Sequence, residues 1–516
     1  PNVVIGEMAR REWSRAGYKV VHSAKSWLCH NSVDPKESIL PFKSTLDDEK
    51  KISAFEATQL ILNHIKDSWN HDVEVGALEG LLEDQSLVIT IPASFDPAAR
   101  DATLEAARSI GLQNVLLLEE PQSALYSWIE SQGDNWRDSL EVGKSILVCD
   151  IGGGTTDFSL MKTVDEEGTL GFKRIAVGNH ILLGGDNMDL ALSHILRAKL
   201  KESGQTPDDK QFSSLQAQAR EAKELILGGD QEEVKVVLAG SGSSLFASSM
   251  ETILTRSEVD KVVIDGFFAS VEHSERPRQN RGLGLRDMGL HYATDASIFK
   301  HLAQFLGSQD EEFHKPDLLL FNGSMFRAEI LRDRVRDVLS MWPGDEVYEL
   351  ESRDFRLAVS RGATYYSRVS SGEGIRIKAS LAFSYYVGVE KAEMAIPGME
   401  PELSLLCIAP HGTEEGSRIR FEEESFYLVT GETSQFRLFR SAFRHDSLGQ
   451  RLTHNEEEFE EVSSLEKSLE TVEGEQYIPV VIETDVTEIG TLDLFCASVK
   501  EGEKRWKLEF QVRDAA

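Results

Sequence analysis

The stretch S-I-L-V-C-D-I-G-G-G-T-T-D-F-S-L at 145–160 leaves the backbone few choices. An apolar run, Ile146 through Cys149, stops on an acid, Asp150. Gly152, Gly153 and Gly154 follow, then Thr155, Thr156 and a second acid, Asp157, before β-type residues resume at Phe158. A buried strand that halts on a carboxylate and turns through consecutive glycines brings main-chain N–H groups close to a partner with no side chains between them. Converging N–H groups and hydroxyls suit phosphate oxygens, and the flanking carboxylates suit the hard cation that accompanies a polyphosphate. The same residues also suit an ordinary β-hairpin whose glycines supply positive φ and whose acids face water. Two other phosphate motifs are excluded. No Gly-Lys-Ser/Thr follows, and the chain re-enters a strand where the P-loop and the dinucleotide fingerprint both open a helix.

At 516 residues the chain is too long for one hydrophobic core, and ~3 to 4 domain-sized units are expected. A hydrophobic content of 41% with 28% charged residues is that of a soluble globular protein. The net charge of −32 disfavours nonspecific contact with nucleic acid or anionic membranes. No apolar run approaches the ~20 residues needed to span a bilayer, so neither nucleic acid nor membrane is an expected partner. Cys29, Cys149, Cys407 and Cys496 lie far apart without metal-type spacing. That pattern predicts reduced, buried thiols in a cytoplasmic protein and no structural zinc. The basic run at 276–281 sits among Pro and Gly and reads as a solvated loop.

Along the chain, 6–15 reads as a short helix or turn, and Lys25 by itself is a surface lysine. Residues 52–70 carry a helical apolar stripe. A buried strand at 87–91 leads through Pro92 to Asp96-Pro97, an N-cap followed by a first-turn proline, and the helix stops at Gly111. A second strand, 115–118, ends on Glu119-Glu120-Pro121, and a helix over 122–132 follows. Strand, helix, strand, helix at these spacings argues for α/β layering. After the glycine turn, 158–162 and 172–176 pair as strands. Gly184-Gly185 precedes a helix to about 202, a longer helix covers 212–227, and 234–239 with 262–264 add β and mixed segments. A buried strand at 318–321 turns through Asn322-Gly323-Ser324 into another helix, the geometry that places ligands at strand carboxyl ends. A last helix spans 354–368. Beyond the flexible break at 370–374, strand-like runs separated by Gly, Pro and acidic turns predict a β-sandwich. Residues 456–476 read as a loop or short helix.

Several motifs in order resemble the nucleotide-binding domain of the seventy-kilodalton heat-shock chaperones, the DnaK-type branch of the actin-like ATPases. They are V-I-T-I-P-A-S-F-D-P-A-A-R-D-A-T at 88–103, G-L-Q-N-V-L-L-L-E-E-P-Q-S-A at 111–124, D-I-G-G-G-T-T-D at 150–157, L-L-G-G-D-N-M-D at 182–189, L-L-L-F-N-G-S at 318–324 and R-D-F-R-L-A-V-S-R-G-A at 353–363. The resemblance implies an α/β fold: a two-lobed actin-like ATPase domain over 1–371, lacking its first strands, a linker at 372–377, and an all-β, sandwich-like substrate domain over 378–516 without a helical lid. It implies ATP/ADP and Mg²⁺ as cofactors. Asp150 would order the metal and its waters, with Glu120 acting on it through water. Gly152, Gly153, Gly154, Thr155 and Thr156 form the second phosphate loop, Asp157 is its second acid, and Lys25 reaches the γ-phosphate. Lysine there would neutralise charge in a largely dissociative transfer. Gly184, Gly185, Lys223, Gly323, Ser324 and Asp354 fall on the sugar and base side.

The resemblance places the first phosphate loop upstream of Pro1. This chain by itself is therefore expected to hydrolyse ATP weakly, while its full-length parent is expected to be an ATPase. Arg220 and Glu224 stand where the family carries residues of opposite charge, Leu227 replaces a serine, and 369–376 lacks the family's acidic-apolar linker. The implied function is a slowly hydrolysing chaperone-like protein that binds unfolded or partly folded polypeptides, with a co-chaperone or nucleotide-exchange partner. The alternatives are a nucleotide-gated or nucleotide-free scaffold on the same fold, and an actin-like small-molecule kinase or filament protein.

Overall fold

The computed structural model describes residues 3–510 except 17–18, 31–32, 45, 167–168, 230, 239–248, 279–289, 291, 308–314, 353, 371–376, 378–380, 382, 391–402, 415, 430–432, 442–443, 454, 456–457, 469–476, 488–491 and 500–504. The chain begins with helices α1 (Glu7–Ala16), α2 (Ala24–Leu28) and α3 (Ala54–Glu74). A capping box starts α3: Ser53 accepts the Glu56 N–H at 3.0 Å and its own N–H reaches the Glu56 carboxylate at 2.8 Å. Strands β1 (Leu87–Ile91) and β2 (Val115–Glu119) run parallel, joined by α4 (Pro97–Ser109) and followed by α5 (Glu120–Gln132). The predicted start of α4 holds: Asp96 accepts the Ala99 N–H at 2.7 Å and Pro97 fills the first turn. Trp27, Leu28, Ile91, Phe95, Leu104 and Leu117 close this lobe's core.

The second lobe is laid out by the glycine turn. Strands β3 (Ser145–Ile151), β4 (Thr156–Glu166) and β5 (Thr169–Val177) form an antiparallel meander. Helices α6 (Gly185–Glu202) and α7 (Asp209–Gly228), the hairpin β6 (Glu233–Leu238)–β7 (Met250–Thr255), and helices α8 (Arg256–Val262) and α9 (Ile298–Gly307) follow. The chain then returns as β8 (Leu318–Asn322), α10 (Glu329–Met341), β9 (Tyr348–Glu349) and α11 (Ala358–Ser370). The sheet order is β5-β4-β3-β8-β9. Leu147, Cys149 and Ile151 of β3 face one core, while Ile146 and Val148 face another. Burial on both faces is why this strand reads as an unbroken apolar run. Two expectations are corrected. Residues 262–264, read as β or mixed, end α8 and enter a π-turn over Val263–Phe267, because the capping box of Thr255 and Glu258 launches a helix that overrides their β-branched preference. The last helix begins at Ala358, four residues later than its apolar pattern.

The C-terminal region is all β: β10 (Ser384–Glu390), β11 (Leu403–Ala409), β12 (Arg418–Val429), β13 (Thr433–Ser441), β14 (Arg451–Thr453), β15 (Glu460–Ser468), β16 (Tyr477–Val486), β17 (Leu492–Ser498) and β18 (Arg505–Phe510). Their ladder runs β12-β16-β17-β18-β15-β13-β10-β11-β14. Val387, Leu406 and Leu438 from one end share a core with Leu428, Val480, Ile482, Leu494 and Leu508 from the other, so the ladder folds over on itself as a sandwich. Strand β15 corrects the loop or short-helix reading of 456–476 over Glu460–Ser468, and 456–457 and 469–476 lie outside the described residues. Its acids are cross-strand partners: Arg437 binds Glu461 through two bonds of 2.8 and 2.7 Å, and Arg440 binds Glu460 at 2.9 Å. The expected break at 370–374 lies largely outside the described residues. Beyond it, Ile377 is buried and donates its N–H to the Tyr126 hydroxyl at 2.8 Å.

Candidate phosphate and metal site

The turn between β3 and β4 is built as a cradle. Gly152 N–H donates to the Thr155 carbonyl at 2.9 Å, closing the turn. The N-terminus of α6 locks onto its back: Gly185 N–H donates to Gly152 O at 3.1 Å and Asp186 N–H to Gly153 O at 2.7 Å. A Cβ on Gly184 would lie 2.5 Å from Gly153 O, so only glycine lets α6 approach this closely. Gly323 has φ +93°, and a Cβ there would meet Ile151 O at 2.3 Å and Asp150 Oδ1 at 2.8 Å. The loop's carbonyls are thus taken from behind, while the N–H groups of Gly153, Gly154 and Thr155 have no hydrogen-bond partner among the described residues. Three successive amides without partners are the kind of donor set that an anion-binding nest requires.

Three carboxylates gather beside the cradle. Strand pairing sets Asp150 opposite Asp157 and beside Asn322, whose Nδ2 donates to Asp150 Oδ2 at 2.7 Å. Glu120 opens α5 next to Glu119, which turns inward to Arg100 at 2.7 Å and to Arg174. That buried pairing anchors the end of β2, and Glu120 is left to meet Lys25 Nζ at 2.5 Å. Lys25 stands on α2, whose Ser26, Trp27 and Leu28 are buried beneath it while the lysine itself stays half exposed. Burial, then the charges of Glu120 and Asp157, push Asp150 up to about 7. Burial works against the Lys25 ammonium, but Glu120, with Asp157 and Asp150 behind it, holds its pKa above the ordinary lysine value. Burial would likewise raise Asp157, yet the neighbouring His180 and hydrogen bonds from His180 and Ser94 keep it below the usual carboxylate range.

Next to the cradle opens a cavity of about 440 Å³ lined by Gly153, Gly185, Asp186, Lys223, Ser324 and Arg327 among others. Cradle and cavity meet at Gly153 and Gly185, so a ligand with an anionic end and a planar end can lie across both. A family model described as Hsp70 protein matches residues 2–277, more than half of the chain. The chain belongs to the Hsp70 family. The chaperone protein HscA homolog of one Shewanella baltica strain is 28% identical over 256 residues, covering 48% of this chain and 38% of that protein. The homolog from a second strain of the same species gives the same identity and coverage. The chaperone protein DnaK of Buchnera aphidicola is 26% identical over 260 residues, 49% of this chain and 40% of that protein. The match therefore spans less than half the length of each relative. The architecture fits the Hsp70 family: an actin-like two-lobed domain followed by a β-rich region.

Within this Hsp70 framework, the fold brings Lys25 and Glu120, both distant in sequence, to the contiguous turn of Asp150, Gly152–Gly154, Thr155 and Asp157. Three of the expected nucleotide-binding side chains are engaged elsewhere. Thr156 is fully buried and its hydroxyl donates to Leu183 O at 2.7 Å, so it braces the loop from behind. Asp354 accepts the N–H groups of Arg356 and Leu357 at 2.7 and 3.4 Å at the approach to α11, and it does not line the cavity. Lys223 does line it, but its ammonium is paired with Asp189 at 2.7 Å, both side chains at most 3% exposed, and donates to Gly185 O at 3.2 Å. Removing one member of a buried pair leaves an uncompensated charge, so Lys223→Met is expected to lower stability by about 3 kcal/mol in thermal unfolding. The double change with Asp189→Leu should recover much of that loss. The exchanged charges at 220 and 224 have new partners: Arg220 reaches Asp186 at 3.6 Å and Glu224 at 3.1 Å, and Glu224 also meets Arg10 of α1 at 3.4 Å.

Asn322, Ser94, His180 and Asp186 stand at the candidate site and were not singled out by sequence reasoning. Asn322 carried a signal, a polar residue ending a buried strand before glycine. The contacts of Ser94 and His180 depend on segments that meet only in space. The β-rich region reaches the same place. Ala93 and Val177 share its core with Phe383 and Tyr385, and Arg440 donates to the Ser94 carbonyl at 3.2 Å while lying 4.5 Å over the Phe383 ring. No helix among the described residues is long and apolar enough to cross a membrane.

Proposed function

We propose that this protein binds ATP or ADP with Mg²⁺ in the cleft and hydrolyses ATP slowly, and that its β-rich region takes extended segments of unfolded polypeptide. The observation that carries the reading is the nest of unpartnered amides at Gly153, Gly154 and Thr155 beside three carboxylates and one lysine. When bound, Mg²⁺ would supply positive charge to offset that of the phosphates. Asp150 is the residue to hold it, with Glu120 acting through water. The amides and the Thr155 hydroxyl would orient the terminal phosphate, and Lys25 would neutralise charge at the reacting end. Glu120 keeps Lys25 charged and aimed into the site. We take 1–371 as the nucleotide-binding unit, 372–377 as its linker and 378–516 as the polypeptide-binding unit, in a cytoplasmic protein served by a co-chaperone or exchange partner. The relatives carrying the printed name chaperone support this reading.

The test is calorimetric titration of the protein with Mg-ATP and Mg-ADP. Lys25→Met is expected to weaken ATP binding about tenfold, equal to ~1.4 kcal/mol, and ADP binding by less. Failure of the wild-type protein to bind either nucleotide at millimolar concentration would remove the reading and leave the scaffold alternative. The ion pairs that occupy the base end around Arg220 and Lys223 favour that second reading.

A further inference from the structure

Asp157 is held by a closed triangle of hydrogen bonds. Ser94 Oγ donates to Asp157 Oδ1 at 2.9 Å, and His180 Nδ1 lies 3.0 Å from the same oxygen and 3.1 Å from Ser94 Oγ. A carboxylate only accepts, so Nδ1 must carry the proton, which it shares between Asp157 and the serine oxygen. The three residues come from the turn after β1, the start of β4 and the loop after β5. Both bonds fall on Oδ1, while Asp157 Oδ2 takes none from the described residues and is not sealed from solvent. His180 Nε2 is buried and without a hydrogen-bond partner among those residues. The ring therefore has one polar contact set, and that set is aimed at Asp157. Phe95, edge-on at 6.4 Å, packs beside the ring.

We propose that Ser94 and His180 are positioning residues for Asp157, anchoring Oδ1 so that Oδ2 is presented in one orientation to the phosphate end of the cleft. Asp150, Glu120 and Asp157 share the single nearby ammonium of Lys25. One ammonium cannot fix the orientation of three carboxylates, so Asp157 needs hydrogen bonds of its own to hold one rotamer. The triangle supplies Asp157 with two hydrogen bonds of its own, both on Oδ1. Its functional consequence rests on the nucleotide reading above, while the positioning itself does not.

Two measurements separate them. In nucleotide-free protein with labelled aspartate carboxyls, Asp157→Asn identifies the Asp157 signal. His180→Ala is expected to displace and broaden that signal, and His180→Asn, whose amide can donate in place of Nδ1–H, is expected to restore it. In nucleotide-loaded protein, His180→Ala should slow single-turnover hydrolysis about tenfold, ~1.4 kcal/mol in barrier, with ADP affinity within about twofold and rescue by His180→Asn. An unchanged Asp157 signal in His180→Ala overturns the proposal even where nucleotide binds. So does equal damage by Ala and Asn to turnover and ADP affinity together, the mark of a merely structural residue. A displaced Asp157 signal in a protein that binds no nucleotide supports the positioning and removes the phosphate-site reading instead.

Discussion

Asp150→Asn is expected to melt at a higher temperature than the nucleotide-free wild-type protein at pH 8, and to lose Mg²⁺-dependent ATP binding. Burial and the charges of Glu120 and Asp157 push the Asp150 carboxyl up to about 7 in the folded protein. In an unfolded chain it releases its proton near ~3.9. Between those values the folded state keeps a proton that the unfolded state has lost, so stability from this group falls as pH rises from ~4 to ~7 and is flat above. Asparagine has nearly the same shape, can still accept the bond from Asn322 and carries no charge to desolvate. Allowing for partial exposure, the gain is about 2 kcal/mol at pH 8 and close to zero at pH 4. Scanning calorimetry at the two pH values checks it. A variant less stable than wild type at pH 8 would show that the carboxylate is not disfavoured there. With Mg-ATP present the order reverses, because only the wild-type protein gains stability from bound ligand. Such an exchange of stability for binding is expected where like charges are kept together for a cation.

Gly362→Ala is expected to damage the fold more than any change in the cleft. A Cβ at 362 would lie 1.7 Å from Ser123 O and 2.6 Å from its carbonyl carbon. The obstacle is α5 backbone, which cannot rotate aside as a side chain would. Ser123 Oγ also donates to Val359 O at 2.5 Å, and Tyr126 packs between Tyr365 and Tyr366 at ring distances of 6.0 and 5.4 Å. Separating α5 from α11 to admit one methyl group breaks these contacts together, so a loss of at least ~3 kcal/mol is expected in urea unfolding. A loss under ~1 kcal/mol would mean that the two helices slide past each other freely. The change lies in the R-D-F-R-L-A-V-S-R-G-A stretch, whose value to the fold is this helix contact.

Much of the phosphate end was readable because its chemistry is contiguous. One turn carries a strand-ending acid, three glycines, a threonine and a second acid, and local backbone geometry decides what such a turn can do. Lys25 was readable only through resemblance, since nothing around it in sequence differs from a surface lysine. Its meaning comes from Glu120, 95 residues away. Strand β15 was missed because acidity suggests solvent, whereas Glu460 and Glu461 are neutralised by arginines on the neighbouring strand. Lys223 and Thr156 were assigned to the ligand by their motif positions. Burial assigns their polar atoms to Asp189 and Leu183, because a buried donor must be satisfied wherever the nearest acceptor lies.

Residue pattern alone was enough for the strand–glycine–strand turn at 145–160, the parallel β1–α4–β2 unit and the all-β C-terminal region. Each depends on neighbours a few residues apart, where alternation, caps and glycine freedom act. Tertiary structure decided which groups the loop uses. It paired Lys25 with Glu120, set Asn322 on Asp150, closed Ser94 and His180 around Asp157, and laid Arg440 of the β-rich region against Ser94. Those contacts are made by burial, which removes water and forces distant polar groups to satisfy one another, and no local pattern records which partner will be near.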